Sequence, residues 1–184
     1  MRVIAGVAKG RKLLSVSGQA TRPITDRVKE SLFNVLRGRV EGALFLDLFA
    51  GTGAVGIEAL SRGARWVVFV ERSRRAIQVI EDNLKITNLA DRAEVVQADV
   101  FRFIAREGGE FDLIYVAPPQ YKGLWIRTLE ALDETGLLAE DGWIIVQIHP
   151  KEYVPLDLKT LALTDQRRYG STLLCFYGGG NGEK

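Results

Sequence analysis

The sequence holds one cysteine, Cys175, and one histidine, His149, in 184 residues. A lone cysteine excludes an intrachain disulfide framework and suits a reducing compartment. A lone histidine argues against a multi-histidine metal centre, so no metal is expected. No apolar run approaches the ~18 residues of a membrane span, and stretches such as Trp66–Val70 are strand-sized. The opening Met1-Arg2-Val3-Ile4-Ala5-Gly6 has no long apolar region of the signal-peptide kind. A cytoplasmic protein is expected. Hydrophobic residues at 47% and charged residues at 26% exclude wholesale disorder, and the length predicts one domain with at most a small appendage.

Net charge is only +2, but it is unevenly spread. Residues 1–40 carry nine Lys/Arg against Asp26 and Glu30, a net +7, whereas the remaining 144 carry 16 basic and 21 acidic residues, a net −5. A basic arm on an acidic body suits a protein that meets a polyanion with one face.

Beyond residue 40, short apolar runs alternate with helical periodicity. Strands are predicted over Leu44–Leu48, Arg65–Glu71, Ala93–Gln97, Phe111–Val116 and Gly142–Ile148. Helices are predicted from the glycine-rich loop through Ser61, over Ser73–Thr87 with Ser73 as N-cap, and over Val100–Arg106 and Leu124–Leu132. Such alternation implies right-handed βαβ units on a parallel, Rossmann-like sheet. Leu158–Leu163 and Ser171–Tyr177 break the rhythm. They read as an antiparallel pair on the sheet edge, joined by Thr164–Gly170, before a glycine-rich tail that is flexible by composition. At the front, Ala8-Lys9-Gly10 predicts a hairpin, and Thr25 or Asp26 caps a helix bearing Val28, Leu32, Val35 and Leu36 on one face.

Gly51-Thr52-Gly53-Ala54-Val55-Gly56 spells GxGxxG between a strand and a helix, which alone suits a nicotinamide dinucleotide. The acids around it point elsewhere. Asp47 lies inside the preceding strand, where it would face a cationic group rather than a pyrophosphate. Glu71 ends the second strand, where an acid can accept two ribose hydroxyls, and Asp99 follows the third. Three acids at three successive strand ends fit an adenosine ligand that bears an amino acid and no phosphate, which is S-adenosylmethionine.

Asp47-Leu48-Phe49-Ala50-Gly51-Thr52-Gly53 resembles the first motif of class I methyltransferases. Thr21-Arg22-Pro23-Ile24-Thr25-Asp26-Arg27-Val28-Lys29-Glu30 and Gly56-Ile57-Glu58-Ala59-Leu60-Ser61-Arg62-Gly63-Ala64 resemble one family within that fold. That family is the bacterial 16S ribosomal RNA guanine-N(2) methyltransferases, the RsmD-like proteins. The resemblance implies a seven-stranded, mostly parallel sheet with an antiparallel last strand, preceded by the basic hairpin and helix. It implies a docking extension over 1–40, a catalytic domain over 41–178 and a tail over 179–184. It also implies S-adenosylmethionine held by Thr21, Arg22, Asp47, Phe49, Ala50, Gly51, Thr52, Gly53, Glu71, Arg72, Asp99 and Val100. Lys9, Arg11, Lys12, Arg22 and Arg27 are the expected nucleic-acid contacts, with 16S rRNA or the small ribosomal subunit as partner and a monomer as the working form.

After the fourth strand comes Ala117-Pro118-Pro119-Gln120-Tyr121, the expected catalytic loop. Enzymes of this type usually carry Asp or Asn before the two prolines and an aromatic directly after them. The acid or amide oxygen and a backbone carbonyl hold the two N–H groups of a poorly nucleophilic amine, and the aromatic stacks on the extruded base. Here Ala117 stands at the acid position and Gln120 at the aromatic position, with Tyr121 one place later. Three readings stay open: a loop working through backbone carbonyls and Gln120 with Tyr121 swinging in to stack, a weakened enzyme, or a residue changed in this chain. Rival functions are methyl transfer to a DNA adenine or a protein glutamine, and RNA binding without catalysis.

Overall fold

The computed structural model describes residues 1–18 and 23–180. Seven strands form one sheet in the order β3-β2-β1-β4-β5-β7-β6. β1 (Leu44–Leu48), β2 (Trp66–Glu71), β3 (Ala93–Gln97), β4 (Phe111–Val116) and β5 (Leu138–Ile148) run parallel. β7 (Thr172–Gly179) runs antiparallel to both β5 and β6 (Leu161–Tyr169). Helices α1 (Asp26–Val35), α2 (Ala54–Ser61) and α3 (Arg74–Thr87) cover one face, while α4 (Val100–Arg106) and α5 (Leu124–Asp133) cover the other. The central strands are apolar on both faces because both are covered. The N-caps follow from side-chain chemistry: Thr25 accepts from the Val28 N–H and Ser73 from the Ala76 N–H. Among the described residues no helix is long and apolar enough to cross a membrane.

The amino-terminal segment is part of this core. Val3, Ala8 and Leu13 are buried in the same cluster as Phe45 and Ile57. The hairpin closes through one antiparallel bridge, Arg2 to Lys12, with the Gly10 N–H donating to the Val3 carbonyl at 2.9 Å. It lies along α2. Its open end meets the glycine loop, where Met1 Sδ accepts from the Thr52 hydroxyl at 3.9 Å. Its tip grips the far end of the helix, with the Val7 and Ala8 N–H groups donating to the Ser61 carbonyl and hydroxyl at 2.9 and 3.0 Å. Only glycine fits at Gly6, where φ is +83° and a Cβ would stand 1.8 Å from the Ser61 carbonyl oxygen.

The carboxyl-terminal expectations need correction. β6 runs through Tyr169, so most of the connection expected over Thr164–Gly170 is strand, and only Gly170-Ser171 turns. The polar run Asp165-Gln166-Arg167-Arg168 lies on an outer strand, where solvent tolerates it. Residues 158–160 precede the strand because the Asp133 carboxylate captures the Lys159, Thr160 and Leu161 N–H groups at 2.6–2.9 Å. The first residues expected in the tail, Gly178 to Gly180, are instead held by hydrogen bonds. Gly178 pairs with Trp143, Gly179 with Leu161, and the Gly180 N–H donates to the Thr160 carbonyl at 2.7 Å.

Candidate active site

A cleft of about 610 Å³ opens at the carboxyl edge of the sheet, a size suited to a small-molecule ligand. Its floor begins at Asp47 of β1. That side chain is 1% exposed and accepts from the Gly56 N–H at 3.1 Å. Burial pushes its carboxyl well above the usual range, the Gly56 bond opposes this, and the Glu71 charge adds to the rise. β1 then turns sharply, with Phe49 in the left-handed region at φ 59°. The Gly53 N–H closes the turn on the Ala50 carbonyl at 2.8 Å.

Glu71 ends the neighbouring strand and braces this loop. One carboxylate oxygen accepts from the Gly51 N–H at 3.0 Å, and the other from the Arg72 and Ser73 N–H groups at 2.9 Å. The geometry is unfavourable for a dinucleotide, whose pyrophosphate needs free loop N–H groups. Here the Gly51 donor faces a carboxylate, and Asp47 takes the third glycine's. An acidic inner wall suits a cationic, phosphate-free ligand instead. Asp99 is the N-cap of α4, accepting from Phe101 and Arg102 at 3.0 and 3.2 Å, and it lines the same cleft.

Phe49, Ala50, Thr52, Arg72 and Val100 also line the cleft. Gly53 does not. It sits behind the loop as the α2 N-cap, packed against Ile80 and Phe69. Thr21 and Arg22 lie outside the described residues. From the opposite side come Ala117 and Pro119, while Pro118 is buried without reaching the cleft. Gln120 and Tyr121 are exposed and absent from the lining. The expected stacking aromatic therefore faces away. Tyr121 is 63% exposed, has φ 58°, and stands 5.6 Å from the His149 ring, while its N–H donates to Glu152 at 2.7 Å. His149 itself caps the 3-10 turn Pro150–Glu152 through Nδ1, a structural role.

Lys9, Arg11, Lys12 and Arg27 are exposed, and none lines the cleft. Lys9 sits at the hairpin tip beside Ser61. The eight residues of α2 separate that end from the glycine loop by about 12 Å. Other members of the basic stretch are already engaged. Lys29 is fully buried against Glu58, Arg2 pairs with Asp26, and Arg39 stacks over Trp143 at 3.9 Å.

Three polar side chains were missed by sequence reasoning. Buried Asn83 donates to the Thr52 and Leu14 carbonyls at 3.0 and 3.1 Å, tying the glycine loop to the hairpin. Tyr115 and Gln147 line the cleft beside Ala117, with the Tyr115 hydroxyl donating to Gln147 Oε1. Burial and the nearby Asp47 charge push that phenol up. For Tyr115 and Gln147 a signal existed: they are polar residues near the carboxyl ends of otherwise apolar strands, at the edge where open α/β sheets bind ligands.

The model of the family described as conserved hypothetical protein 95 matches residues 1–178. YlbH of Bacillus subtilis is 41% identical over 181 residues, covering 96% of this chain and 98% of that one. Ribosomal RNA small subunit methyltransferase D of Escherichia coli is 38% identical over 155 residues, covering 84% and 78%. The solved structure of yhhF from Escherichia coli is 35% identical with a TM-score of 0.87, covering 97% of each chain.

Proposed function

Because this chain belongs to the conserved hypothetical protein 95 family, among relatives named for methylation of small-subunit rRNA, we propose that it methylates the exocyclic amine of a guanine in 16S rRNA. The observation that carries this reading is one cleft joining Asp47, Glu71 and Asp99 to the Ala117–Pro119 loop. The residues fit S-adenosylmethionine. Asp47 suits its ammonium, Glu71 its ribose hydroxyls and Asp99 its adenosine end, with Phe49 to Gly53 and Arg72 and Val100 around it and Thr21 and Arg22 as further contacts. That cofactor supplies an electrophilic methyl group on a sulfonium.

The chain's own contribution is binding and alignment. Backbone carbonyls of the Ala117-Pro118-Pro119 turn are suited to take the amine N–H groups and let the nitrogen lone pair leave the ring plane. Two prolines hold those carbonyls still, so the methyl acceptor is positioned before reaction. With that cofactor bound, the amine nitrogen would take the methyl group and give up its proton to solvent. With Tyr121 outside the cleft, stacking on the base requires that loop to move.

The RNA is docked by Lys9, Arg11, Lys12 and Arg27, which are exposed, and by Arg22. The working form is a cytoplasmic monomer. Outer strand β6 supports this with a bulge between Leu163 and Asp165 and with Arg167 and Arg168, features that discourage edge-to-edge pairing.

Incubation with methyl-tritiated S-adenosylmethionine and 16S rRNA, free or in the small subunit, tests the function. Incorporation mapped by mass to N2 of one guanine is the expected result. RNA binding without incorporation would turn the assignment to a non-catalytic relative, and label on DNA adenine or protein glutamine would move the substrate class.

A further inference from the structure

We propose that Gln147, held in one orientation by Tyr115, reads the Watson–Crick edge of the target guanine; this rests on the guanine-methylating function proposed above. Gln147 lies one residue beyond the Val116–Val146 pair, on the strand beside Ala117. Tyr115 and Gln147 line the cleft on the side of Ala117 and Pro119, away from the Glu71 and Asp99 end. That is where the acceptor base must enter to meet the loop that handles its amine.

The amide is already half committed. Tyr115 is 4% exposed and its hydroxyl donates to Gln147 Oε1. A side-chain amide has an oxygen with two lone pairs and a nitrogen with two N–H groups. The hydroxyl uses one lone pair. The amide N–H groups have no hydrogen-bond partner among the described residues. Turning the amide over would leave the buried Tyr115 hydroxyl without its acceptor, so Oε1 and Nε2 keep fixed places.

Guanine presents an N1–H donor next to its O6 acceptor. The pinned amide matches both, with Oε1 accepting from N1–H and Nε2 donating to O6. Adenine presents an acceptor at N1 and a donor at N6, so the same amide meets it with both signs reversed. The guanine N2 amine adjoins N1. Holding N1–H on Gln147 leaves that amine to the Ala117-Pro118 carbonyls. Gln147 is thus a specificity residue, and Tyr115 a positioning residue that acts through it.

The probe is 2-aminopurine, which keeps the exocyclic 2-amine but lacks O6 and the N1–H. The guanine that the wild-type protein methylates, mapped by mass, is replaced by 2-aminopurine in full-length 16S rRNA assembled by splinted ligation. Wild-type protein should prefer the guanine RNA by about 10- to 100-fold in kcat/KM, the range of one bidentate base contact. Gln147→Leu should bring that ratio close to one, chiefly by losing activity on guanine, and the nearly isosteric Gln147→Glu, which keeps the acceptor for N1–H but loses the donor to O6, should lower it in part. Tyr115→Phe should lower the ratio with Gln147 intact. An equal loss on both RNAs, or a ratio unchanged in both Gln147 variants, would overturn the assignment. Absence of any rRNA methylation by wild-type protein would instead overturn the function on which it rests.

Discussion

The Lys29 ammonium stands 3.2 Å from a Glu58 carboxylate oxygen, and neither side chain has measurable exposure. Glu58 also accepts the Ile4 and Ala5 N–H groups at 2.9 and 3.1 Å and pairs with Arg62 at 2.8 Å. Lys29 donates to the Arg2 carbonyl as well. Hairpin, α1 and α2 therefore meet at one buried carboxylate. Lys29→Met removes the fully buried counter-charge of Glu58, leaving it Arg62 and two N–H donors, and should cost about 3 kcal/mol. In a domain of this size that lowers Tm by roughly 6–12 °C. Lys29→Met combined with Glu58→Gln should recover part of the loss, and thermal melts of the single and double variants check both statements.

Asp47 links stability to pH. Its carboxyl is raised by burial, so the folded state holds a proton that the unfolded chain has released. Asp47's contribution to stability is therefore greatest below the unfolded value of 3.8 and is lost as pH rises through the higher folded value. Asp47→Asn, neutral at every pH and still able to accept from the Gly56 N–H, should raise Tm at pH 7. The gain should vanish below about pH 4, where both forms are neutral. Calorimetric melts across pH test this, and the same variant should bind S-adenosylmethionine more weakly.

Glu71→Ala removes an acceptor for the ribose and releases the Gly51, Arg72 and Ser73 N–H groups together. Charge-assisted hydrogen bonds are worth roughly 1.5–3 kcal/mol each. Affinity for S-adenosylmethionine should fall at least about tenfold, and NAD should not compete for the wild-type site. Titration calorimetry with an unchanged dissociation constant would remove Glu71 from the cofactor site.

Ala117→Asp restores an acceptor where the amine N–H groups are to be held. A group that acts mainly in the transition state should raise kcat, by about 10- to 100-fold, while cofactor affinity changes less than about twofold. Falling activity would favour a loop that works through its backbone and Gln120.

RNA affinity should drop with salt at a slope of about −0.7 per phosphate contact on single strands. Replacing Arg11 and Lys12 by alanine should flatten the slope by roughly 1.4 and leave S-adenosylmethionine binding intact. Truncating the hairpin is a poorer test, because Val3, Ala8 and Leu13 are core residues.

The alternating part of the molecule was legible from sequence because both of its signals are local. β1 to β4 and α2 to α5 follow from apolar period and capping, and Asp47, Glu71 and Asp99 fall at strand ends that any parallel sheet brings together. What escaped depended on distant partners. Lys29 counts as surface charge until Glu58, 29 positions away, is seen beside it. Asp165 to Arg168 read as a loop because their polarity conceals an edge strand. Tyr115 and Gln147 looked like strand residues, since nothing local shows that two chain segments 32 positions apart share a hydrogen bond. Tyr121 was expected in the cleft from its place in a motif, but its backbone conformation turns it toward His149.

The hairpin along α2 also sets a timetable. Residues 4–14 leave the ribosome early, yet the groups that anchor them lie 53–69 positions downstream, on Glu58, Ser61 and Asn83. At a synthesis rate of about 5–20 residues per second, Leu14 waits roughly 3–14 s for Asn83 to be made. During that interval the most basic part of the newborn chain is unanchored, while translation and ribosomal RNA surround it. This basic segment is fastened only once α3 has been made, and the same Asn83 then ties the glycine loop to the hairpin.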